Sequence, residues 1–381
     1  MENKIGIVTL YYKNYNYGGQ LQAFAMQRLF ADKGLDVYLI TFKPDPLKDI
    51  IRKVNDIGIK GSFNRFFNKL QFKRQIISDK ENHALYMQRI VKFNKFMDNI
   101  PHTELYKEDE IHKCNSQFDM FVCGSDQVWN PRWWNKVLLL EFTDKFKYAY
   151  AVSISRSKLT FFQKQRLIKA TKNFVGISVR ELQSKEMLQE FMEKEIYCTL
   201  DPTFMIDQSV WDEMEKNPQI NDEYILIYNL GNITDLFFNI CNYASQKGYK
   251  IFLIGKDDSL HNNTLLRSVC TLIVDAGPEE WLGWIKNARF VFTDSFHGTV
   301  FSILFHRDFW CYEKVKEKKN NGNVRLYNLL QNLELDKRFL KEIDDNTFTT
   351  GIDYHEVEMK IFELKKLSMS FIDMCLKNGR I

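Results

Sequence analysis

The spacing of apolar residues along the chain alternates between strand-like and helix-like patterns. Lys4–Tyr11 is a short apolar run rich in β-branched residues, and Gln20–Lys33 then carries its apolar residues at helical spacing until Gly34. Val37–Phe42 is a second strand-like run. A strand, a helix and a strand joined by short loops predict a parallel pair with a right-handed crossover.

The same alternation continues through the rest of the chain, which predicts an α/β protein. The further predicted strands are Phe118–Cys123, Tyr148–Ser153, Phe174–Val179, Tyr197–Leu200, Tyr224–Asn229, Lys250–Ile254, Thr271–Val274, Phe290–Thr293 and Phe309–Tyr312. The further predicted helices are 181–193, 234–247, 278–288, 298–305, 324–333 and 354–377. Several of these strands are uninterrupted apolar runs, which is typical of parallel sheets covered on both faces.

A polar break divides the series into two domains. Pro202 stops a strand, and Asn217-Pro218 and Asn221-Asp222 follow it. A chain of 381 residues also exceeds the roughly 250–300 residues at which one core stops growing. We therefore predict an N-terminal α/β domain at 1–210, a C-terminal α/β domain at 222–350, and a helix at 354–377 that packs back across both.

Two such sheets in tandem predict an interdomain cleft. Ligands of open α/β sheets bind beyond the carboxyl ends of the strands, so the loops at those ends are the candidates for chemistry.

Residues 48–95 form a basic segment inside the predicted first domain. They hold 12 Lys/Arg and 4 Asp/Glu, with phenylalanines at helical spacing. The segment is either a helical insertion with a solvated basic face, or a platform for an anionic glycan or for lipid headgroups.

Charge and cysteine usage exclude several classes of protein. A formal net charge of +4 does not indicate nucleic-acid binding. The chain has no apolar run of about 18 residues and no signal-like start, and its seven cysteines are scattered without CxxC or metal-ligand spacing. We expect no bound metal and a cytoplasmic protein, with peripheral contact to the inner face of the membrane as a possible addition.

The loop Thr293–Thr299 joins an apolar strand to an apolar helix and places His297 in the first helical turn. Asp294 or Ser295 can cap this helix, whose free N–H groups favour an anion. A histidine there can transfer a proton near neutral pH, so His297 is the candidate general acid. A structural histidine beside a helix cap is the alternative.

Arg180 ends the buried strand that precedes the helix at 181–193. Its planar guanidinium suits a phosphate or carboxylate that is bound by two hydrogen bonds. An ion pair with Glu181 is the alternative.

Two more loops in the first domain follow strands. Tyr15–Gln20 contains two glycines that allow a close backbone approach, but it lacks the GxGxxG pattern and the lysine of a phosphate loop. Gly124–Pro131 sets Trp129 near Asp126, a combination suited to sugar rings. An ordinary βα turn and tryptophan core packing are the respective alternatives.

Taken together and in this order, these segments resemble the polysaccharide pyruvyl transferase family. The matching segments are Asn16-Tyr17-Gly18 with Leu21-Gln22-Ala23, Gly124–Asn130, Ser178–Glu181, Asp201-Pro202-Thr203, Thr293–Gly298, and Arg325 with Leu329-Leu330 and Leu333–Leu335. They span about residues 4 to 338, nearly the whole chain.

The resemblance implies a GT-B-like fold of two facing Rossmann-like domains, with phosphoenolpyruvate as donor and a sugar as acceptor. His297 matches the family's functional histidine and is the predicted catalytic residue, and Arg180 matches an arginine that contacts the donor phosphate. The other predicted donor-binding residues are Ser295, Gly298 and Arg325. The predicted acceptor-binding residues are Asn16, Tyr17, Gly18, Ser125, Asp126, Gln127 and Trp129.

One position departs from the better-studied branch of the family. That branch has an arginine two residues before the histidine, where this chain has Ser295. Arg325, Lys256 or the helix N-terminus are the candidate replacements, and the sequence does not choose among them.

The implied reaction forms a pyruvate ketal on a sugar of a polysaccharide or its precursor and releases phosphate. The products would be exopolysaccharide or capsule, and phosphoenolpyruvate is a co-substrate, so no cofactor is expected. The acceptor is a sugar, an oligosaccharide or a lipid-linked glycan. The alternatives are a nucleotide-sugar-dependent GT-B glycosyltransferase and a non-catalytic glycan-binding protein.

Overall fold

The computed structural model of the protein describes residues 3–52, 80–255, 264–314, 323–344, 347 and 351–379. Within them the strands are β1 Lys4–Val8, β2 Asp36–Leu39, β3 Phe42–Lys43, β4 Tyr106–Lys107, β5 Met120–Gly124, β6 Phe146–Val152, β7 Gly176–Val179, β8 Ile196–Cys198, β9 Tyr224–Asn229, β10 Lys250–Gly255, β11 Thr271–Leu272, β12 Phe290–Thr293, β13 Asp308–Tyr312 and β14 Phe339–Leu340. The helices are α1 Tyr17–Ala31, α2 Lys80–Asp98, α3 Phe161–Thr171, α4 Leu182–Gln189, α5 Pro202–Met205, α6 Gln208–Met214, α7 Asp235–Gln246, α8 Thr264–Val269, α9 Pro278–Lys286, α10 Phe296–Leu304, α11 Val324–Asn332 and α12 Tyr354–Asn378.

The described chain divides into two compact units. Unit 1 contains residues 3–52, 97–206 and 360–379, and unit 2 contains 80–96 and 207–359. Each unit is built on one six-stranded, fully parallel sheet, as the apolar runs in the sequence predict.

The sheet of unit 1 has the order β2-β1-β5-β6-β7-β8. The chain therefore builds outward from β1 in one direction and from β5 in the other, which makes the gap between β1 and β5 a topological switch point. Strands β5 and β6 are buried along nearly their whole length, as expected when both faces of a parallel sheet are covered.

The sheet of unit 2 repeats this plan with the order β11-β10-β9-β12-β13-β14. Its switch point lies between β9 and β12, and both of these strands are fully buried. In each unit the loops that follow the two switch-point strands are the positions where ligands of such sheets bind.

Helix α12 is divided between the two units, since its residues up to Met359 belong to unit 2 and those from Lys360 onward belong to unit 1. At its start Tyr354 donates a hydrogen bond to the carbonyl of Arg307 at 2.5 Å, within unit 2. Near its end Ser368 accepts a hydrogen bond from the backbone N–H of Leu200 at 2.9 Å, and Phe371 packs among tyrosines of unit 1.

Helix α2 requires a correction to the placement of the basic segment in the first domain. Lys92 pairs with Asp275 at 3.3 Å and with Glu280 at 3.5 Å, so this part of the segment is held by acidic residues of unit 2. Residues 53–79, which carry most of the segment, lie outside the described residues.

The strand and helix predictions are confirmed with shifts of a few residues at their ends, and β9 and β12 have the predicted bounds. Helix α3 was not predicted. Its first residues, Phe161 and Phe162, are exposed, so its apolar residues do not form the single buried stripe that marks a helix in a sequence.

Candidate active site

The first turn of α10 begins directly after β12, at the switch point of unit 2. Ser295 is the N-cap residue, and its hydroxyl accepts a hydrogen bond from the backbone N–H of Gly298 at 3.3 Å. The Thr293 hydroxyl accepts a hydrogen bond from the backbone N–H of Ser295 at 3.0 Å and donates one to the carbonyl of Tyr228 at 2.8 Å. Because these bonds join β9 to β12, the start of α10 is fixed relative to both strands.

Asp294 does not cap the helix; it holds the loop that follows β9 instead. Its carboxylate accepts hydrogen bonds from the backbone N–H groups of Leu230 at 2.7 Å and Gly231 at 2.5 Å. Tyr312, the last residue of β13, donates a hydrogen bond to the Asn229 side chain at 3.0 Å. The ends of β9, β12 and β13 are therefore linked through side chains.

His297 lies in the first turn of α10, with 6% of its surface exposed. It packs edge-on against Phe296, with 5.2 Å between the ring centroids. The guanidinium of Arg325, from α11, lies 5.8 Å from the centre of the Phe296 ring. The structure therefore brings four predicted residues, Ser295, His297, Gly298 and Arg325, to one end of the unit 2 sheet. Lys256 lies outside the described residues.

Arg180 lies at the carboxyl end of β7 in unit 1, with its side chain 1% exposed and in contact with three carboxylates. Nη1 donates to Asp201 at 2.6 Å, Nη2 donates to Asp126 at 3.2 Å, and Nε donates to Glu181 at 3.1 Å. Burial opposes the charge on Arg180, but the three carboxylates outweigh it and raise the pKa of the guanidinium.

The ion pair between Arg180 and Glu181, which the sequence left open as an alternative, is therefore present. Arg180 is engaged by three carboxylates, and a donor phosphate would have to compete with them for its guanidinium. The donor role of Arg180 stays a prediction.

Ser125 and Asp126 follow β5, at the switch point of unit 1. The Ser125 hydroxyl is buried. Its oxygen lies 2.9 Å from the carbonyl oxygen of Ala151 and 3.2 Å from the carboxylate of Asp201, and either group can accept its hydrogen bond. The carbonyl of Asp126 accepts a hydrogen bond from the backbone N–H of Ser153 at 2.8 Å. The side chain of Asp126 is 18% exposed, whereas those of Glu181 and Asp201 are 2% exposed or less. Asp126 is thus the carboxylate of this cluster that solvent or a ligand can reach.

The loop after β1 forms the other side of the same switch point. Asn16 caps α1 and accepts a hydrogen bond from the backbone N–H of Gly19 at 2.9 Å, while Tyr17 and Gly18 are buried at the start of the helix. Gln20 fastens the loop by donating to the carbonyls of Tyr11 and Asn14, each at 2.7 Å. Asn16 is half-buried, whereas Tyr17 and Gly18 are buried, so Asn16 is the one of these three predicted acceptor-binding residues whose side chain a ligand can reach.

Comparison with known proteins adds family membership to this geometry. The sequence profile described as polysaccharide pyruvyl transferase matches residues 16–313, which include every predicted site residue except Arg325. The chain belongs to the polysaccharide pyruvyl transferase family. No curated protein matches it at a significant level.

Comparison with solved structures shows that this pyruvyl transferase family member has a GT-B-like fold. A UDP-N-acetylglucosamine 2-epimerase from Listeria monocytogenes is 9% identical with a TM-score of 0.51, covering 98% of this chain and 91% of its own. The same enzyme from Rickettsia bellii is 8% identical with a TM-score of 0.48, covering 99% and 98%. Anabaena Alr3699/HepE in complex with UDP is 7% identical with a TM-score of 0.49, covering 97% and 98%.

Trp129 requires a correction in this family member. It was predicted to present an aromatic face to the acceptor, but it is 0% exposed in the core of unit 1, where it packs edge-on against Phe174. Trp129 is therefore a core residue, which is the alternative that the sequence analysis left open. Trp133 is the half-buried tryptophan of this loop, and the guanidinium of Arg132 lies 4.7 Å from its ring.

Asp201 is the site residue that the sequence analysis missed. It is fully buried, binds both Arg180 and Ser125, and accepts hydrogen bonds from the backbone N–H and the hydroxyl of Thr203 at 3.1 and 2.7 Å. The sequence analysis used the Asp-Pro-Thr motif as the end of a strand and as one of the segments that match the family, but gave Asp201 no role. An aspartate immediately after a buried strand was the signal that could have found it.

The described parts of the chain contain neither a metal-binding cluster nor a membrane-spanning helix. They contain no group of three or more His, Cys, Asp or Glu side chains arranged to hold a metal ion. None of the helices found in those parts is long and apolar enough to cross a bilayer.

Proposed function

We propose that this protein transfers a pyruvyl group from phosphoenolpyruvate to two hydroxyls of a sugar, forming a cyclic ketal and releasing phosphate. The sugar belongs to a polysaccharide or its precursor. The observation that carries this proposal is the position of His297. It lies at the start of a capped helix, beside the switch point of the unit 2 sheet, in a chain that belongs to the pyruvyl transferase family.

In this proposal the donor binds at the unit 2 edge. The N-terminus of α10 has partial positive charge, which suits the phosphate or carboxylate of phosphoenolpyruvate. Arg325 supplies a full positive charge at the same end of the sheet. In this proposal it replaces the arginine that the better-studied branch of the family has at the position of Ser295. Gly298 lies in the first turn of α10, where the absence of a side chain lets the helix pack against Thr293 and Tyr228.

His297 donates a proton to the methylene carbon of phosphoenolpyruvate, which makes C2 electrophilic. The first sugar hydroxyl adds to C2, and phosphate then leaves with its bonding electrons. The second hydroxyl adds to the resulting cation and closes the ring. Of the two hydroxyl protons, one restores His297 and the other leaves on phosphate, so the reaction needs no redox cofactor.

The acceptor is assigned in this proposal to the unit 1 edge. Asp126 is the reachable carboxylate and accepts a hydrogen bond from a sugar hydroxyl, while Asn16 and Gln127 offer amides for other sugar hydroxyls. Ser125, Tyr17 and Gly18 are buried, so they shape the two loops rather than contact the sugar through their side chains. Arg180 then acts by holding Asp126 in place.

The test supplies phosphoenolpyruvate or nucleotide sugars to a panel of glycans, with and without EDTA. We expect phosphate release together with a mass gain of one pyruvyl group on the glycan, unaffected by EDTA, and no transfer from nucleotide sugars. Sugar transfer from a nucleotide donor, with phosphoenolpyruvate inert, would overturn the proposal in favour of a glycosyltransferase.

A further inference from the structure

Residues 156–172 carry a concentration of positive charge that the sequence analysis did not single out. This stretch contains α3 and has six Lys/Arg and no Asp/Glu, whereas the whole chain has a net charge of only +4. The basic residues are Arg156, Lys158, Lys164, Arg166, Lys169 and Lys172.

Two adjacent aromatic side chains stand exposed at the start of α3. Phe161 is 69% exposed and Phe162 is 83% exposed, and their rings meet edge-on with 5.9 Å between centroids. Leaving two large aromatic side chains in water has a cost, and exposed apolar groups next to one another mark interaction sites more often than isolated ones do.

The opposite face of α3 is firmly attached to unit 1. Leu167 and Ala170 belong to its hydrophobic core, and Leu159 joins the same core just before the helix. Thr160 and Gln163 form a reciprocal capping box at the first turn. The exposure of the two phenylalanines therefore belongs to a well-anchored helix.

Acidic neighbours neutralise only part of the charge. Lys164 lies 3.9 Å from Glu190, and Arg166 lies 3.2 Å from Glu141. Lys158, Lys169 and Lys172 are exposed to solvent, and Glu186 borders the same surface. The outward face of α3 therefore combines two apolar rings with an excess of positive charge.

The start of α3 lies close in sequence to the acceptor edge of unit 1. Helix α3 follows β6, and Ser153, the first residue after β6, donates its backbone N–H to the carbonyl of Asp126 at 2.8 Å. Only seven residues separate Ser153 from Phe161. A partner bound to Phe161 and Phe162 would thus be held near Asp126.

We propose that the outward face of α3 docks on a bilayer surface that contains anionic phospholipids. The phenylalanine rings enter the interface between headgroups and acyl chains, and the exposed lysines lie against the lipid phosphates. This inference rests on the proposed function, since the contact would bring the unit 1 edge to a lipid-linked sugar acceptor. Charge complementarity favours an anionic lipid surface over an apolar protein partner.

The test is co-sedimentation of the full-length protein with phosphatidylcholine vesicles, with and without phosphatidylglycerol. We expect wild-type protein to bind only the anionic vesicles, and to dissociate as salt is raised. Lys158→Gln/Lys169→Gln/Lys172→Gln should weaken binding by about 100-fold, since each lysine near such a surface contributes about 1 kcal/mol. Phe161→Ser/Phe162→Ser should weaken it at least about tenfold.

Phe362→Ser/Leu367→Ser on α12 is the matched control, because it also removes two exposed apolar side chains, which are 52% and 62% exposed. It should bind vesicles like wild type, and all variants should melt close to wild type because the positions are on the surface. Weak wild-type binding, equal binding to both vesicle types, or an equal loss in the α12 control would overturn the proposal. So would retention on a polyanionic resin without vesicle binding. The assay contains no phosphoenolpyruvate, so its failure and a failure of the transferase proposal are separate results.

Discussion

His297 and Arg180 both follow buried strands, but their surroundings differ. His297 lies in the first turn of α10, and the partial positive charge at that end of the helix favours anions. Arg180 is enclosed by carboxylates from three different loops. The side chain with the clearer place in anion chemistry is therefore the histidine, and the arginine is chiefly a structural centre of unit 1.

Replacing His297 by Asn should leave the fold intact and lower kcat by about 10²–10⁴, because the proton donor to the methylene carbon is lost. Steady-state phosphate release measures this. His306→Asn is the control, since His306 lies just past the other end of α10, is 47% exposed and pairs with Glu358. Turnover of His297→Asn within a few-fold of the His306 variant would contradict the assignment.

Arg180→Lys should destabilise unit 1 by about 3–5 kcal/mol, because a lysine cannot satisfy three buried carboxylates and leaves charge uncompensated. Denaturant unfolding measures this. Arg166→Lys, at an exposed pair with Glu141, is the control and should change stability by less than about 1 kcal/mol. An unchanged unfolding midpoint together with lost phosphoenolpyruvate binding would instead support the donor role of Arg180.

At this scale the sequence predicted positions better than roles. The histidine, the arginine and the loops after β1 and β5 were all found, because strand ends and helix starts can be located from apolar spacing. Of the partners of Arg180 only Glu181 was considered from the sequence, since Asp126 and Asp201 are 54 and 21 residues away along the chain. The burial of Trp129 was likewise invisible, because an aromatic residue in a polar loop suits either environment.

Gly298 determines how close α10 can come to the sheet. A Cβ at this position would lie 2.5 Å from the Thr293 hydroxyl and 2.9 Å from the Tyr228 ring. Gly298→Ala should therefore push the first turn of α10 away from β12, with a stability cost of about 1–3 kcal/mol. The shift should also lower kcat about 100-fold by misplacing His297.

Gly351→Ala is the matched control for this substitution, because a Cβ there meets no atom within 4 Å. Thermal unfolding and phosphate release should match wild type in that variant. A Gly298→Ala protein with wild-type kcat would show that the packing of α10 does not position the histidine.

Among the elements, the long buried strands were predictable, and a helix with exposed apolar residues was not. Strands β9 and β12 were located to the residue because continuous apolar runs between polar breaks leave little choice. Helix α3 was missed because its exposed phenylalanines contradict the expected pattern. The two-residue strands β3, β4 and β14 are too short to show any period.

For the molecule as a whole, seven free cysteines are distributed over both units. Burial raises the pKa of every one of these thiols, to about 12 for Cys123 and Cys311 and to about 11 for Cys198 and Cys270. A raised pKa keeps a thiol protonated, so at pH 8 few reactive thiolates exist. Native protein should react slowly with a thiol reagent at that pH.

Absorbance titration with a disulfide reagent measures this difference. Native protein should show less than about one reactive thiol in minutes, and all seven should appear at once in denaturant. Activity should survive the native treatment. Rapid modification of a single thiol with loss of phosphate release would show that a cysteine lies at the site.

Helix α12 is divided between the two units, and this affects the order in which the units can finish folding during translation. Phe371 packs against Tyr148 and Tyr150, and Cys375 fills the space beside Gly176, so residues 360–379 form part of the core of unit 1. The ribosome makes the first 206 residues of the chain early, yet their sheet stays partly uncovered until the last residues emerge. A nonsense codon just before position 360 would therefore damage the unit whose first part was made earliest.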